Sequence, residues 1–104
     1  MTKPTENADT KYDNIIGLKD EFKIKALVVD DIKENRDVLT AFLRSIGVVV
    51  TNAENGKVAL EQVEQVEPHI IFMDIRMPVM DGVEALHKIK EKYPQNIIKI
   101  IFIT

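Results

Sequence analysis

A chain of 104 residues, 45% of them hydrophobic, is long enough for one domain with a single modest core and too short for two. Its 14 basic and 17 acidic residues give a net charge of −3 and form no basic stripe for nucleic acid, and the absence of cysteine excludes disulfides and thiol nucleophiles. No stretch approaches the roughly 20 apolar residues of a membrane span, and no signal-peptide pattern opens the chain. We therefore expect a cytoplasmic protein.

The first 23 residues are rich in Thr, Asn, Asp and Lys and hold few apolar side chains to offset the entropy lost on ordering. We expect a flexible N-terminal tail or linker at residues 1–23. From Ile24 the composition changes, and residues 24–104 are predicted to form the domain.

Four short apolar runs follow in the predicted domain. Continuous rather than alternating apolarity is typical of strands that are buried on both faces of a parallel sheet. The runs are Ala26–Val29, Val48–Val50, Ile70–Met73 and Ile97–Ile103, the last of which is broken only by Lys99.

Apolar stripes with helical period separate these runs. Gly47 and Pro94 stand where the first and third helices should end, and Pro68 separates the second helix from the next strand. The order is β-α-β-α-β-α-β, and right-handed crossovers make it a doubly wound α/β fold with a parallel sheet. The stripes are Val38, Leu39, Phe42, Leu43 and Ile46; Val58, Ala59, Val63 and Val66; and Val83, Leu86, Ile89 and Tyr93.

Three aspartates stand at the carboxyl ends of predicted strands. Asp30 and Asp31 follow the first strand, and Asp74 follows the third, which lies beside the first in a sheet whose order begins 2-1-3. Carboxylates so close repel one another unless a proton or cation is bound, and Mg²⁺ suits such oxygen donors. A structural alternative is that Asp31, which stands three residues before Glu34, merely caps the first helix.

Other residues have mainly structural interpretations. Asp81 has capping-box spacing with Glu84, so we expect it to begin the third helix. Met77 and Met80 are expected to pack, and Pro78 to shape the loop that holds them.

Three segments together resemble the receiver domain of response regulators and hybrid histidine kinases. The stretch Met73–Gly82, which reads MDIRMPVMDG, has the strand-end Asp, Met-Pro and Asp-Gly of that family. Val28–Asp31 and Asn55-Gly56 match as well, and the resemblance covers residues 24–104. It implies a flavodoxin-like receiver fold.

The resemblance also implies roles for particular residues. Asp74 would be the phosphoacceptor, taking a phosphoryl group from a histidine kinase or phosphotransfer protein as an aspartyl phosphate. Asp31 and Asp74 would bind Mg²⁺ directly, Asp30 through water, and Arg76 through its backbone carbonyl. Thr104 matches the hydroxyl residue that hydrogen-bonds the phosphoryl group. The chain would be a switch in a two-component phosphorelay and not an enzyme.

The sequence departs from the family pattern at its end. The family has five strands, whereas this sequence stops after the fourth, and no residue matches the family's phosphoryl-binding lysine or its aromatic switch residue. We expect a receiver fold lacking the fifth strand and the last two helices, as a fragment of a regulator or hybrid kinase. Alternatively, the chain folds by forming a homodimer or exchanging segments through its apolar edge strand.

Two other functions are compatible with the sequence. A non-phosphorylated α/β interaction or assembly module is favoured by the missing lysine and opposed by the acid cluster. A phosphatase resembling the haloacid dehalogenases would also use a strand-end Asp and Mg²⁺, but those enzymes have a second Asp where this chain has Arg76. A nucleotide or flavin site is disfavoured because no glycine-rich loop follows the first strand.

Overall fold

The computed structural model describes residues 23–94 and 98–103. Along these residues, strands and helices alternate and all strand pairs are parallel. In the sheet, the first strand lies between the second and the third, and the fourth pairs with the third. The predicted α/β fold with a parallel sheet is confirmed. The predicted tail lies, except for its last residue, outside the described residues. The elements are β1 (Lys25–Val29), α1 (Lys33–Ser45), β2 (Val49–Ala53), α2 (Gly56–Val66), β3 (Ile70–Met73), α3 (Gly82–Lys92) and β4 (Lys99–Phe102).

The sheet is covered on both faces because side chains alternate along its central strand β1. Leu27 and Val29 pack beneath α2 and α3, whereas Ala26 and Val28 pack beneath α1. All four side chains are buried, as expected for a strand with neighbours on both sides and helices above and below. Among the described residues, no helix is long and apolar enough to cross a membrane.

The helix boundaries agree with the local sequence signals. Helix α1 ends at Ser45, two residues before Gly47, whose φ of 93° lies in the left-handed region that glycine adopts readily. Helix α2 is followed by Glu67 in the left-handed conformation and then by Pro68. Helix α3 ends at Lys92, two residues before Pro94. The predicted ends of all three helices are therefore confirmed to within two residues.

The apolar stripe predicted on α1 is only partly buried. Leu43 is buried and Leu39 is half-buried, but Val38, Phe42 and Ile46 are 73%, 60% and 62% exposed. Among the described helices, only α1 packs on this face of the sheet. Because no second described helix lies beside it there, only the α1 side chains that point at the strands are buried.

The fourth strand is shorter than predicted. It spans Lys99–Phe102 within the predicted run, whose first residue, Ile97, lies outside the described residues. Strand β4 lies at the edge of the described sheet, and its Ile101 is 39% exposed, so its apolar run does not reflect burial on both faces.

Gly82 allows α3 to begin directly against the end of β3. Its N–H donates a hydrogen bond to the carbonyl oxygen of Ile75 over 2.8 Å. A Cβ at this position would clash with the carbonyl oxygen of Asp74 and would lie 3.0 Å from Cα of Ile75. Both of these atoms belong to the backbone, which cannot move aside as a flexible side chain can.

We expect Gly82→Ala to lower the free energy of unfolding by about 1–3 kcal/mol, because the added methyl group overpacks this backbone contact. Urea denaturation measures the loss. Val83→Ala is the matched control, since its side chain is 44% exposed, and it should change stability by less than about 0.5 kcal/mol. A Gly82→Ala variant as stable as the native chain would contradict the close approach.

Candidate functional site

The structure brings together the three aspartates predicted from the sequence. One carboxylate oxygen from each of Asp30, Asp31 and Asp74 lies within 4.8 Å of the others. The cause is the pairing of β1 with β3, in which Val29 is the register partner of Met73, so the residues that follow the two strands meet at one edge. The N–H of Asp74 donates to the carbonyl oxygen of Val29 over 2.9 Å and extends this register.

Asp30 is the buried member of the cluster, with 4% of its surface exposed. Its Oδ1 accepts a hydrogen bond from the N–H of Ile32 over 2.9 Å, and Nδ2 of Asn35 donates to its Oδ2 over 3.4 Å. Nη1 of Arg36 donates to its carbonyl oxygen over 2.7 Å. Both carboxylate oxygens of Asp30 thus already accept hydrogen bonds, which fixes the side chain.

Sequence reasoning missed Asn35 and Arg36. Both lie in the first turn and a half of α1, which begins at Lys33. Asn35 and Arg36 follow Asp30 by five and six residues, a spacing that allows their side chains to reach back to the end of β1. Polar residues that point into solvent at the start of a helix have the same spacing, so this signal is not specific.

Asp31 does not cap the helix that follows it. Ile32 occupies the cap position of α1, and no side chain there accepts a hydrogen bond from the helix. The capping interpretation of Asp31 is therefore wrong, because the chain continues extended through Ile32 before the helix begins. The side chain of Asp31 is exposed and accessible to a ligand from solvent.

Asp74 is half-buried at the end of β3, and its Oδ1 accepts a hydrogen bond from the N–H of Arg76 over 3.2 Å. Arg76 itself is exposed. The hydrogen bond to Asp74 uses the backbone N–H of Arg76. The predicted binding of Mg²⁺ by the carbonyl oxygen of Arg76 stays a prediction. Thr104, the predicted phosphoryl partner, lies outside the described residues.

The loop after Asp74 is anchored by its methionines and by Asp81. Met77 is buried, and Met80 packs so closely on α2 that a Cβ on Gly56 would lie 2.7 Å from its carbonyl oxygen. Oδ1 of Asp81 accepts a hydrogen bond from the N–H of Glu84 over 2.8 Å. The packing role of the methionines and the capping role of Asp81 are confirmed.

A cavity of about 420 Å³ adjoins the acid cluster, and Asp31, Arg36 and Asn55 contribute to its wall. A larger cavity of about 600 Å³ lies at the opposite edge of the sheet, near the beginnings of β1, β3 and β4. Structural contacts occupy several of its polar groups. For example, Nδ1 of His69 accepts a hydrogen bond from the N–H of Lys25 over 2.9 Å, and Nζ of Lys25 donates to the carbonyl oxygen of Val66 over 2.9 Å. The acid cluster, and not this larger cavity, is therefore where the chemistry concentrates.

The donor set fits Mg²⁺. All three groups are carboxylates, and Asp31 and Asp74 are accessible from solvent, which leaves room for the water molecules that Mg²⁺ retains. A hard cation would also relieve the repulsion between the carboxylates. The arrangement can therefore hold a divalent cation next to a strand-end carboxylate.

The chain belongs to the response regulator receiver domain family, whose model matches residues 26–104. It is 44% identical over 81 residues to a protein-glutamate methylesterase/protein-glutamine glutaminase of Halobacterium salinarum, a match that covers 77% of this chain and 23% of that protein. The chain thus spans about a quarter of that relative's length.

Solved receiver structures share the fold. The N-terminal domain of a response regulator receiver protein from Methanoculleus marisnigri is 32% identical, with a TM-score of 0.73 over 77% of this chain and 65% of that one. The receiver domain of Ssk1 from Saccharomyces cerevisiae, crystallised with the histidine phosphotransfer protein Ypd1, is 36% identical. Its TM-score is 0.67 over 71% of this chain and 51% of that one. The resemblance stated from the sequence is confirmed.

Val79 adopts a strained backbone beside the site. Its φ is 72°, in the left-handed region, and the N–H of Met80 donates to the carbonyl oxygen of Pro78 over 2.7 Å, so Val79 is the centre of a three-residue γ-turn. This conformation is unfavourable for a β-branched residue. The side chain is 76% exposed, so little packing offsets the strain.

Val79→Gly should raise the free energy of unfolding by about 1 kcal/mol, because relief of backbone strain exceeds the extra entropy that glycine loses. Chemical denaturation checks the sign. The control Val83→Gly, at an exposed helical position, should lower stability by about 1 kcal/mol. Equal losses in both variants would show that Val79 is not strained.

Proposed function

We propose that this receiver domain accepts a phosphoryl group on Asp74 from the phosphohistidine of a histidine kinase or phosphotransfer protein. Mg²⁺ is the cofactor, and phosphorylation changes the contacts that the domain makes with partners. The convergence of three carboxylates within 4.8 Å at the edge shared by two adjacent strands carries this proposal. The co-crystallised Ssk1 receiver and Ypd1 support a phosphotransfer protein as the partner class.

Asp74 is the nucleophile in this proposal. A carboxylate oxygen attacks the phosphorus, the P–N bond to the donor histidine breaks, and the imidazole nitrogen keeps the electron pair and is protonated by solvent. Such a transfer depends on in-line positioning and charge neutralisation more than on acid-base chemistry. The half-buried position of Asp74 leaves it accessible to the donor while the strand end fixes its backbone.

The other acidic residues would hold the cation. Asp31 and Asp74 are proposed as direct ligands, with the carbonyl oxygen of Arg76 as a third. Asp30 is proposed to act through water, because both of its carboxylate oxygens already accept hydrogen bonds from the protein. When bound, Mg²⁺ would offset the negative charge of the phosphoryl oxygens. Thr104 is proposed to hydrogen-bond the phosphoryl group.

Acetyl phosphate with Mg²⁺ should add one phosphoryl group to the native chain and none to Asp74→Asn, as measured by intact-mass spectrometry. Asp81→Asn is the matched control, since it removes an acid from the same loop while asparagine caps a helix as well as aspartate does. Equal labelling of Asp74→Asn and the native chain would contradict the assignment. No labelling of the native chain would favour the alternative of a non-phosphorylated assembly module.

The edge strand suggests that copies of this chain associate, and we propose a homodimer or segment exchange through β4. Among the described strands, β4 pairs only with β3, so its other side presents unpaired backbone groups. Ile101 adds an apolar side chain that is 39% exposed.

Ile101→Lys should shift the chain toward monomer, because a charge on an edge strand opposes pairing with a second copy. Sedimentation velocity at several protein concentrations measures the effect. Val38→Lys is the control, because it places the same charge at a side chain that is 73% exposed. This side chain lies on helix α1 and not on the edge strand. A native chain that is monomeric at every concentration would refute association.

A further inference from the structure

Arg36 joins α1 to the backbone of the acid cluster. Its Nη1 donates to the carbonyl oxygen of Asp30 over 2.7 Å, a short distance typical of a charge-assisted hydrogen bond. Arg36 also lines the cavity of about 420 Å³ to which Asp31 contributes. The guanidinium group of Arg36 therefore lies beside the three aspartates and contacts the backbone that carries them.

The contact acts on the peptide group between Asp30 and Asp31. Because that group is planar, its carbonyl oxygen, its N–H and Cα of Asp31 lie in one plane. Fixing the oxygen therefore fixes the direction in which the chain leaves Asp30 and the starting point of the Asp31 side chain. The other anchors hold Asp30 itself: its N–H donates to the carbonyl oxygen of Ala53 over 3.2 Å, and its carboxylate accepts two hydrogen bonds.

We propose that Arg36 is a positioning residue that aims the carboxylate of Asp31 at the cation site and so sets the affinity of the acid cluster for Mg²⁺. The proposal rests on the metal site of the proposed function. It assigns Arg36 no contact with the cation or with the phosphoryl group.

The charge of Arg36 has the opposite effect on a cation. A guanidinium near the cluster repels Mg²⁺, so the loss of its charge alone would tighten binding. The loss of the hydrogen bond releases the peptide group and would weaken binding. The sign of the change in affinity therefore distinguishes positioning from simple electrostatics.

Arg44 provides a matched control on the same helix. Its Nη2 donates to the carbonyl oxygen of Val50 over 3.3 Å, so it also joins α1 to a backbone carbonyl, but this carbonyl lies near the start of β2. The strands begin at this end of the sheet, whereas the acid cluster lies at the end where they finish. A purely structural effect of removing an arginine from α1 should appear in Arg44→Met as well.

The test is the dissociation constant of Mg²⁺ for the 104-residue chain, measured by calorimetric titration, with circular dichroism confirming that each variant is folded. Arg36→Met should bind Mg²⁺ at least about tenfold more weakly than the native chain, as is typical when a residue that orients a metal ligand is lost. Arg44→Met should stay within about twofold. Arg36→Lys keeps a donor and the charge, and should bind more tightly than Arg36→Met.

Several results would overturn the proposal. Tighter or unchanged Mg²⁺ binding by Arg36→Met would show that the charge dominates or that the contact is irrelevant. Equal weakening in Arg44→Met would show a general effect of destabilising α1. If Arg36→Met does not fold, Arg36→Lys decides by itself. It should bind Mg²⁺ more weakly than the native chain, because an ammonium group does not reproduce the geometry of the guanidinium contact, and native affinity in that variant would overturn the proposal. A native chain that does not bind Mg²⁺ would instead refute the metal site of the proposed function.

Discussion

The site depends on the parallel pairing of β1 with β3. In this register Val29 lies beside Met73, and the hydrogen bond from the N–H of Asp74 to the carbonyl oxygen of Val29 continues the pairing past the strand ends. A slip of one residue would turn the alternating side chains of one strand to the wrong face of the sheet, so the two cores of the domain fix the register. The hydrophobic cores thus determine where the acids meet.

The fold holds these acids together against their mutual repulsion. Asp30 is buried and hydrogen-bonded on both carboxylate oxygens, whereas Asp31 and Asp74 are more accessible. Asp30 is thus held by the protein, whereas the side chains of Asp31 and Asp74 are accessible to a ligand from solvent. The γ-turn at Val79 is a strained backbone conformation next to the cluster. Such strain is typical of functional sites, where packing in the rest of the domain maintains it.

The two faces of the sheet differ in how completely they are covered. Helices α2 and α3 share one face, and an ion pair of 3.1 Å between Lys92 and Glu64 joins them. The carboxylate of Glu64 raises the pKa of the Lys92 ammonium group through their hydrogen bond and charge. Among the described residues, α1 alone covers the other face, and Phe42 remains 60% exposed.

The sequence by itself determined the fold class, the helix ends and the grouping of Asp30, Asp31 and Asp74, because apolar periodicity and glycine or proline signals are local and parallel strands end at a common edge. Tertiary structure decided what depends on long-range packing. It showed that α1 buries only part of its apolar stripe, since burial requires a neighbour that periodicity does not reveal. It also showed that Arg36 reaches back to Asp30 and that Asp31 caps no helix, because both outcomes depend on how the chain turns between β1 and α1.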